Sequence, residues 1–137
     1  MDMMLFGPEL YYLFMALVFF GLSLKRRVQV KRDYQVALVL TGLGVVVTAM
    51  SLCQQGDLFF QAYKVDLFSQ IFKFALALGL FLVLTISHNL AQIEERYHAE
   101  YYLFLTTTTI GMMMLVSSVE LLTIYVALEL SSYSLYI

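Results

Sequence analysis

Glu129 is the residue whose setting most clearly suggests chemistry. It stands in Ser118-Val-Glu-Leu-Leu-Thr-Ile-Tyr-Val-Ala-Leu-Glu-Leu-Ser-Ser-Tyr-Ser-Leu-Tyr-Ile137, a stretch otherwise apolar or hydroxylic apart from Glu120. If a helix begins at Glu120, the carboxyl of Glu129 lies roughly 13 Å along it at ~1.5 Å per residue. That is near the midplane of a hydrocarbon layer about 30 Å thick. An ionised group at that depth costs on the order of 2.5–3.5 kcal/mol on insertion scales, so it normally faces protein or trapped water. Tyr125, Glu129, Ser132 and Tyr136 follow at i, i+4, i+7 and i+11, which is one face of a helix. Leu121, Val126, Ala127, Leu130 and Leu135 cover the rest. The chemistry this suits is proton uptake and release, because a low dielectric favours the neutral acid and an approaching ammonium favours the carboxylate. Glu120 is about half a turn out of phase and sits where an acid suits the positive end of a helix, so it reads as a cap or interface residue.

The elements that must position this face are membrane helices. Of 137 residues, 61% are hydrophobic and only 13% charged, with a mean hydropathy of +0.82, far more apolar than a soluble domain. The expected fold is all-α and integral to the membrane, with about five transmembrane helices in the lipid bilayer. No charge run suggests nucleic-acid binding. Cys53 is the only cysteine, which rules out an internal disulfide and a cysteine-rich cluster within this sequence. His88 and His98, ten residues apart, belong to no ligand set at metal spacing. The start carries Asp2 and Glu9 rather than the basic region of a signal peptide, so the first helix is expected to be retained.

In chain order, Gly7-Pro8-Glu9 opens the first helix, expected over 9–24, with proline in the first turn and an acid at its positive end. Lys25-Arg-Arg-Val-Gln-Val-Lys-Arg-Asp33 holds five of the eight basic residues and belongs in the cytoplasm by the positive-inside rule, leaving the N-terminus outside. The second helix, expected over 34–53, carries Gly42 and Gly44, which let a neighbouring backbone approach. Gln54 to Asp66 reads as a polar outer connection, with Phe59, Phe60 and Tyr63 at the interface. The third helix, 67–87, contains Lys73 about two turns below Asp66. Two readings stand for it: a lysine snorkelling to the outer surface, the expectation here, or an interior partner for a carboxylate on another helix.

The fourth helix, 101–118, contains Thr106 to Thr109, whose hydroxyls can return to i−4 carbonyls or bond across helices. Met112 to Met114 point around that helix and read as packing. Only residues 117–120 separate it from the fifth helix, so the two form an antiparallel pair. The end on Leu135-Tyr136-Ile137 has no polar exit, and a fifth helix starting at Glu120 wants a few more residues to span.

Glu100-Tyr-Tyr-Leu-Phe-Leu, Gly111-Met-Met-Met-Leu-Val-Ser-Ser and the run from Leu121 to Tyr136 resemble the antiporter-like membrane subunits of proton-pumping NADH:quinone oxidoreductase, respiratory complex I, and most of all subunit N. Val65-Asp-Leu-Phe-Ser69, leading to Phe72-Lys73, resembles the opening of that family's third helix. The resemblance is good from Val65 onward and weak before it. It implies a fold of about fourteen helices with two inverted five-helix repeats. Residues 1–99 would then be three N-terminal transmembrane helices and residues 100–137 the incomplete start of the first repeat, so that the resemblance implies the N-terminal portion of a longer subunit.

It also implies that Glu129 belongs to the charged axis of the membrane arm, modulating a lysine in a later broken helix that this sequence does not contain. Tyr125, Ser132, Tyr136 and Lys73 are the candidate polar neighbours of the path. The implied role is proton translocation coupled to quinone reduction, as a non-redox subunit of a translocase. No cofactor is expected in this chain: NADH, FMN, iron–sulfur clusters and quinone would belong to other subunits. The implied partners are other membrane-arm subunits, in an energy-transducing membrane such as the bacterial inner membrane. The competing readings are a related cation/proton antiporter or membrane-bound hydrogenase subunit, and a non-transporting helical scaffold. An intramembrane enzyme lacks a nucleophile-and-base or metal-ligand set.

Overall fold

The structure, a computed structural model, describes residues 3–25, 29–58, 60–89, 91–134 and 136, with backbone only for Met3 and Met4. Among these residues there are five α-helices: α1 (Gly7–Ser23), α2 (Val30–Met50), α3 (Leu67–Ile86), α4 (His98–Ser117) and α5 (Leu121–Tyr133). A two-stranded antiparallel hairpin, β1 (Gly56–Leu58) with β2 (Tyr63–Val65), joins α2 to α3. Two helical segments are long and apolar enough to cross a membrane, Val30–Cys53 and Leu67–Ile86, while α1 and α5 are shorter apolar helices.

α4 is the central element, packing against α1, α3 and α5, while α2 lies against α3 and α1. Tyr12, Met15 and Phe19 of α1 meet Ala37 of α2, Ala77, Leu80 and Leu84 of α3, and Tyr102, Ile110 and Met113 of α4 in one core. Leu13, Phe14, Leu17 and Phe20 of α1, Val39, Leu43 and Val46 of α2, and Phe68, Ile71 and Leu82 of α3 point outward. Glu9, Thr41, Thr48, Gln70 and Lys73 are buried. Large apolar residues outside and polar groups within is the arrangement that lipid, rather than water, favours.

Hydroxyls inside the helices are satisfied locally. Thr41 donates to the Ala37 carbonyl at 2.8 Å and Thr106 to that of Tyr102 at 2.8 Å. Thr107 and Thr109 also donate to i−4 carbonyls, whereas Thr108 bonds across to Ser134 of the segment following α5. Both expected uses of the threonine run therefore occur. Met113 is fully buried while Met112 is exposed, as residues pointing around a helix must be.

Several expectations are corrected. α2 begins at Val30, not Tyr34, because Lys31, Arg32 and Asp33 continue the helix, with Arg32 and Asp33 paired at 3.3 Å. α4 begins at His98, whose ring nitrogen bonds the Ile93 carbonyl at 3.1 Å. The 54–66 connection is not simply polar: it holds the hairpin, turned through Phe60 and Gln61 with φ of 56° and 72°. Phe60 is exposed, but Tyr63 is buried with Leu5, Leu58 and Val65 rather than interfacial. Phe59, Arg26, Arg27, Leu135 and Ile137 lie outside the described residues.

Asp66 starts α3 with a reciprocal cap: its carboxylate accepts from the Ser69 backbone N–H at 2.8 Å, and the Ser69 hydroxyl oxygen accepts from the Asp66 N–H at 2.9 Å. The Ser69 backbone hydrogen bond, helped by nearby Lys64, holds the Asp66 carboxyl below its ordinary value.

The expected antiparallel pairing of the last two helices is present, since Thr108 meets Ser134 while Gly111 meets Ser131. The close backbone approach occurs at Gly111, not at Gly42 or Gly44. A Cβ on Gly111 would lie 2.4 Å from the Ser131 backbone nitrogen, whereas Gly44 makes room for the Tyr12 and Tyr11 side chains and Gly42 meets only the Phe81 ring at 3.5 Å. Gly111→Ala should therefore push α5 from α4 and destabilise the full-length protein by about 1–3 kcal/mol, as overpacking does. Thermal unfolding in detergent checks this, with Gly42→Ala as a variant expected to behave as wild type.

Candidate functional site

The most deeply buried charges are at the hairpin end of the bundle. Glu9 is in the first turn of α1 and Lys73 in the second turn of α3, and both helices start from the same end, which sets the two at similar depth. Lys73 Nζ lies 2.6 Å from Glu9 Oε1, with side chains 0% and 1% exposed. The Tyr63 hydroxyl donates to the same carboxylate oxygen, and Lys73 Nζ stands 5.1 Å from the centre of the Tyr63 ring. The Ser117 hydroxyl, at the end of α4, is also beside Tyr63. Burial first, and the Glu9 charge second, push the Tyr63 phenol well above its ordinary value, so it remains a donor.

Lys73 therefore does not snorkel. The ammonium has a carboxylate within ion-pair distance and an aromatic face beside it, so the interior-partner reading is the one realised. Glu9 is more than an acid at a helix start, and Tyr63 and Glu9 are the participants that sequence reading missed. The available signal was topological: an acid one turn into the first helix and a lysine two turns into the third, both entered from one side.

The cluster also holds the junction of α4 and α5. Tyr63 bridges Ser118 in antiparallel fashion, and the Val119 N–H donates to the Ala62 carbonyl at 3.0 Å. Contacts thus run from Lys73 through Glu9 and Tyr63 to the residues that precede α5.

Glu129 is elsewhere, on the exposed side of α5, which packs against α4. Tyr125 is 60% and Tyr136 83% exposed, and Ala127 is the only buried residue of α5. Tyr125 and Glu129 thus face outward from these helices and Ser132 is half-buried, while Tyr136 lies beyond the end of α5 at Tyr133, so the expected helical face does not extend to it. Ser132 donates to the backbone carbonyls of Leu128 and Glu129, at 2.9 and 3.3 Å, rather than serving the carboxyl. Glu129 borders a largely apolar groove of about 420 Å³ between α4 and α5, with Leu103, Phe104, Thr107 and Leu130 among its walls. Lys73 is paired with Glu9 and is not brought to this face. Glu120 occupies the position preceding α5, but its side chain makes no capping hydrogen bond.

Among the described residues, no group of three or more His, Cys, Asp or Glu is placed to hold a metal ion. One acid, Glu9, is paired in the interior, and another, Glu129, stands on an exposed helix face. The helical architecture, with two helices long and apolar enough to cross a membrane, suits a membrane-embedded protein.

Comparison with known proteins carries this further. The chain is 47% identical over its whole length to NADH-quinone oxidoreductase subunit N 2 of Syntrophobacter fumaroxidans. It is 40% identical over 96% of its length to the protein of that name from Opitutus terrae, and 36% identical over 94% to that from Solidesulfovibrio magneticus. It spans 27–29% of the length of these three relatives. No protein-family profile matches the chain, and no solved structure does. The chain belongs to the subunit N family of the NADH-quinone oxidoreductases, respiratory complex I.

The geometry predicts a large penalty for breaking the interior pair. Lys73→Met leaves the Glu9 carboxylate buried without its cation and should destabilise the full-length protein by about 3–5 kcal/mol. Adding Glu9→Gln should recover most of that loss. Thermal unfolding of the wild type, the single variant and the double variant in one detergent measures both steps.

Proposed function

We propose that this chain is part of a membrane-arm subunit of NADH:quinone oxidoreductase that takes part in proton translocation coupled to quinone reduction. The observation that carries the reading is the likeness to subunit N along the entire chain, 47% identical in one relative. The placement of Glu129 supports it. A carboxyl midway along an apolar helix, on a face these helices leave open, is suited to exchange a proton with groups supplied by an adjoining segment or subunit.

In this reading Glu129 carries the proton, Tyr125 extends the polar face one turn before it, and Tyr136 stands beyond the end of α5. Ser132 ties its hydroxyl to the backbone and shapes the stripe without bonding the carboxyl. The partners are the other membrane-arm subunits. NADH, FMN, iron–sulfur clusters and quinone act in other subunits, and the location is the inner membrane of a bacterium.

Glu129→Gln keeps the size of the side chain and removes its titration. In the complete complex it should lower proton pumping and the turnover coupled to it, with the amount of assembled complex near normal; Glu129→Asp should retain part of the activity. Proton uptake and NADH:quinone turnover measured on the same membranes decide this, and a fully active Glu129→Gln complex would show the carboxyl to be structural.

The orientation follows from the basic loop, with Lys25 to Arg32 in the cytoplasm and the hairpin outside. Gln29 and Gln55 are both exposed and suit single-cysteine probes in a Cys53→Ser background. On intact cells an impermeant thiol reagent should label the cysteine at position 55 and spare that at 29. The reverse pattern contradicts the orientation.

A further inference from the structure

The Glu9 carboxylate is used unequally. Oε1 takes both the Lys73 ammonium and the Tyr63 hydroxyl, while Oε2 is buried without a hydrogen-bond partner among the described residues. Gln70 precedes Lys73 by three residues on the same face of α3. It is fully buried, and neither its amide nitrogen nor its amide oxygen has a partner among the described residues. Buried polar groups are ordinarily satisfied, and a buried ion pair serving structure alone gains most when its remaining lone pairs are engaged. An acceptor oxygen of the paired acid, and an amide one turn before its lysine, are thus buried without a partner among the described residues.

From this we infer that Glu9, Lys73 and Tyr63 form a second proton-holding site, at the hairpin end of the bundle and separate from Glu129, in which Glu9 Oε2 takes up and releases a proton. The inference rests on the translocation reading above. The ionisable groups brought to the cluster are Glu9 from α1, Lys73 from α3 and Tyr63 from β2, while α4 brings the Ser117 hydroxyl.

The step is balanced. A hydronium gives its proton to Oε2, so one O–H bond breaks, one forms on the carboxyl, and water leaves. The charge of the cluster rises by one, from a neutral ion pair to an ammonium beside a neutral acid. Release reverses the step and restores the pair. Because Lys73 and Tyr63 engage Oε1, the proton is added without displacing either. The distance to the aqueous side is short, since Lys64 and Asp57, on the hairpin next to the cluster, are exposed.

The test uses the complete complex in sealed vesicles, reading protons pumped per electron pair together with the amount of assembled complex. The double variant Glu9→Gln/Lys73→Met removes both charges at nearly constant volume, so no unpaired charge is buried. It should assemble at close to the wild-type amount and pump fewer protons per electron pair. Tyr63→Phe, which removes only the hydroxyl, should shift the pH profile of pumping while leaving assembly intact. A double variant that pumps at the wild-type ratio overturns the inference, as does one that fails to assemble, which would mark the pair as structural. Glu129→Gln run in parallel separates the two readings. If Glu129→Gln loses pumping while the double variant keeps it, only the second site is refuted; if Glu129→Gln pumps normally, the translocation reading itself fails.

Discussion

A lysine and a glutamate, both removed from solvent, meet at 2.6 Å between α1 and α3, and the N-terminal half of the molecule is arranged around that contact. Each charge would be costly there alone. Together, with the Tyr63 hydroxyl on the same oxygen, they fix the rotation of α1 and α3 about their axes, because any other register buries one charge without the other. Such a pair need not raise stability above that of an apolar replacement.

That constraint spreads through the hairpin. Two three-residue strands are marginal by themselves, but Tyr63 links the hairpin to α1 and α3 on one side and to Ser118, before α5, on the other. From there α5 runs back along α4, held close because Gly111 has no Cβ to meet the Ser131 backbone. The result is asymmetric. α1 to α4 enclose a shared core, whereas α5 touches it along one side and leaves Tyr125, Glu129 and Tyr136 facing away. The interior acid has its cation within this chain, and the acid on α5 is presented to whatever adjoins it.

Hydropathy made the five helices and the short α4–α5 turn legible, since long apolar runs separated by charge leave few alternatives. The start of α2 differs from the expected one because Lys31, Arg32 and Asp33 look like a loop by charge yet continue the helix. The hairpin escaped notice because three residues are too few for an alternating pattern to register. Lys73 was misjudged for a different reason: a transfer cost describes one residue in lipid and contains nothing about a partner. Gly42 and Gly44 signal close packing in sequence as well as Gly111 does, but a glycine declares only that space exists, and the neighbour decides whether side chain or backbone fills it. That Tyr125 and Glu129 share an exposed face follows from their spacing; that Ser132 turns to the backbone does not, nor that α5 ends before Tyr136.

The most direct test of this account is an experimental structure of the assembled complex containing this chain, at a resolution that shows side chains. The account requires Lys73 Nζ at ion-pair distance from Glu9, Tyr63 on the same carboxylate, and the Glu129 face of α5 covered by protein or a water-filled passage. A map showing Lys73 extended to the membrane surface, or Glu129 facing lipid, would contradict it.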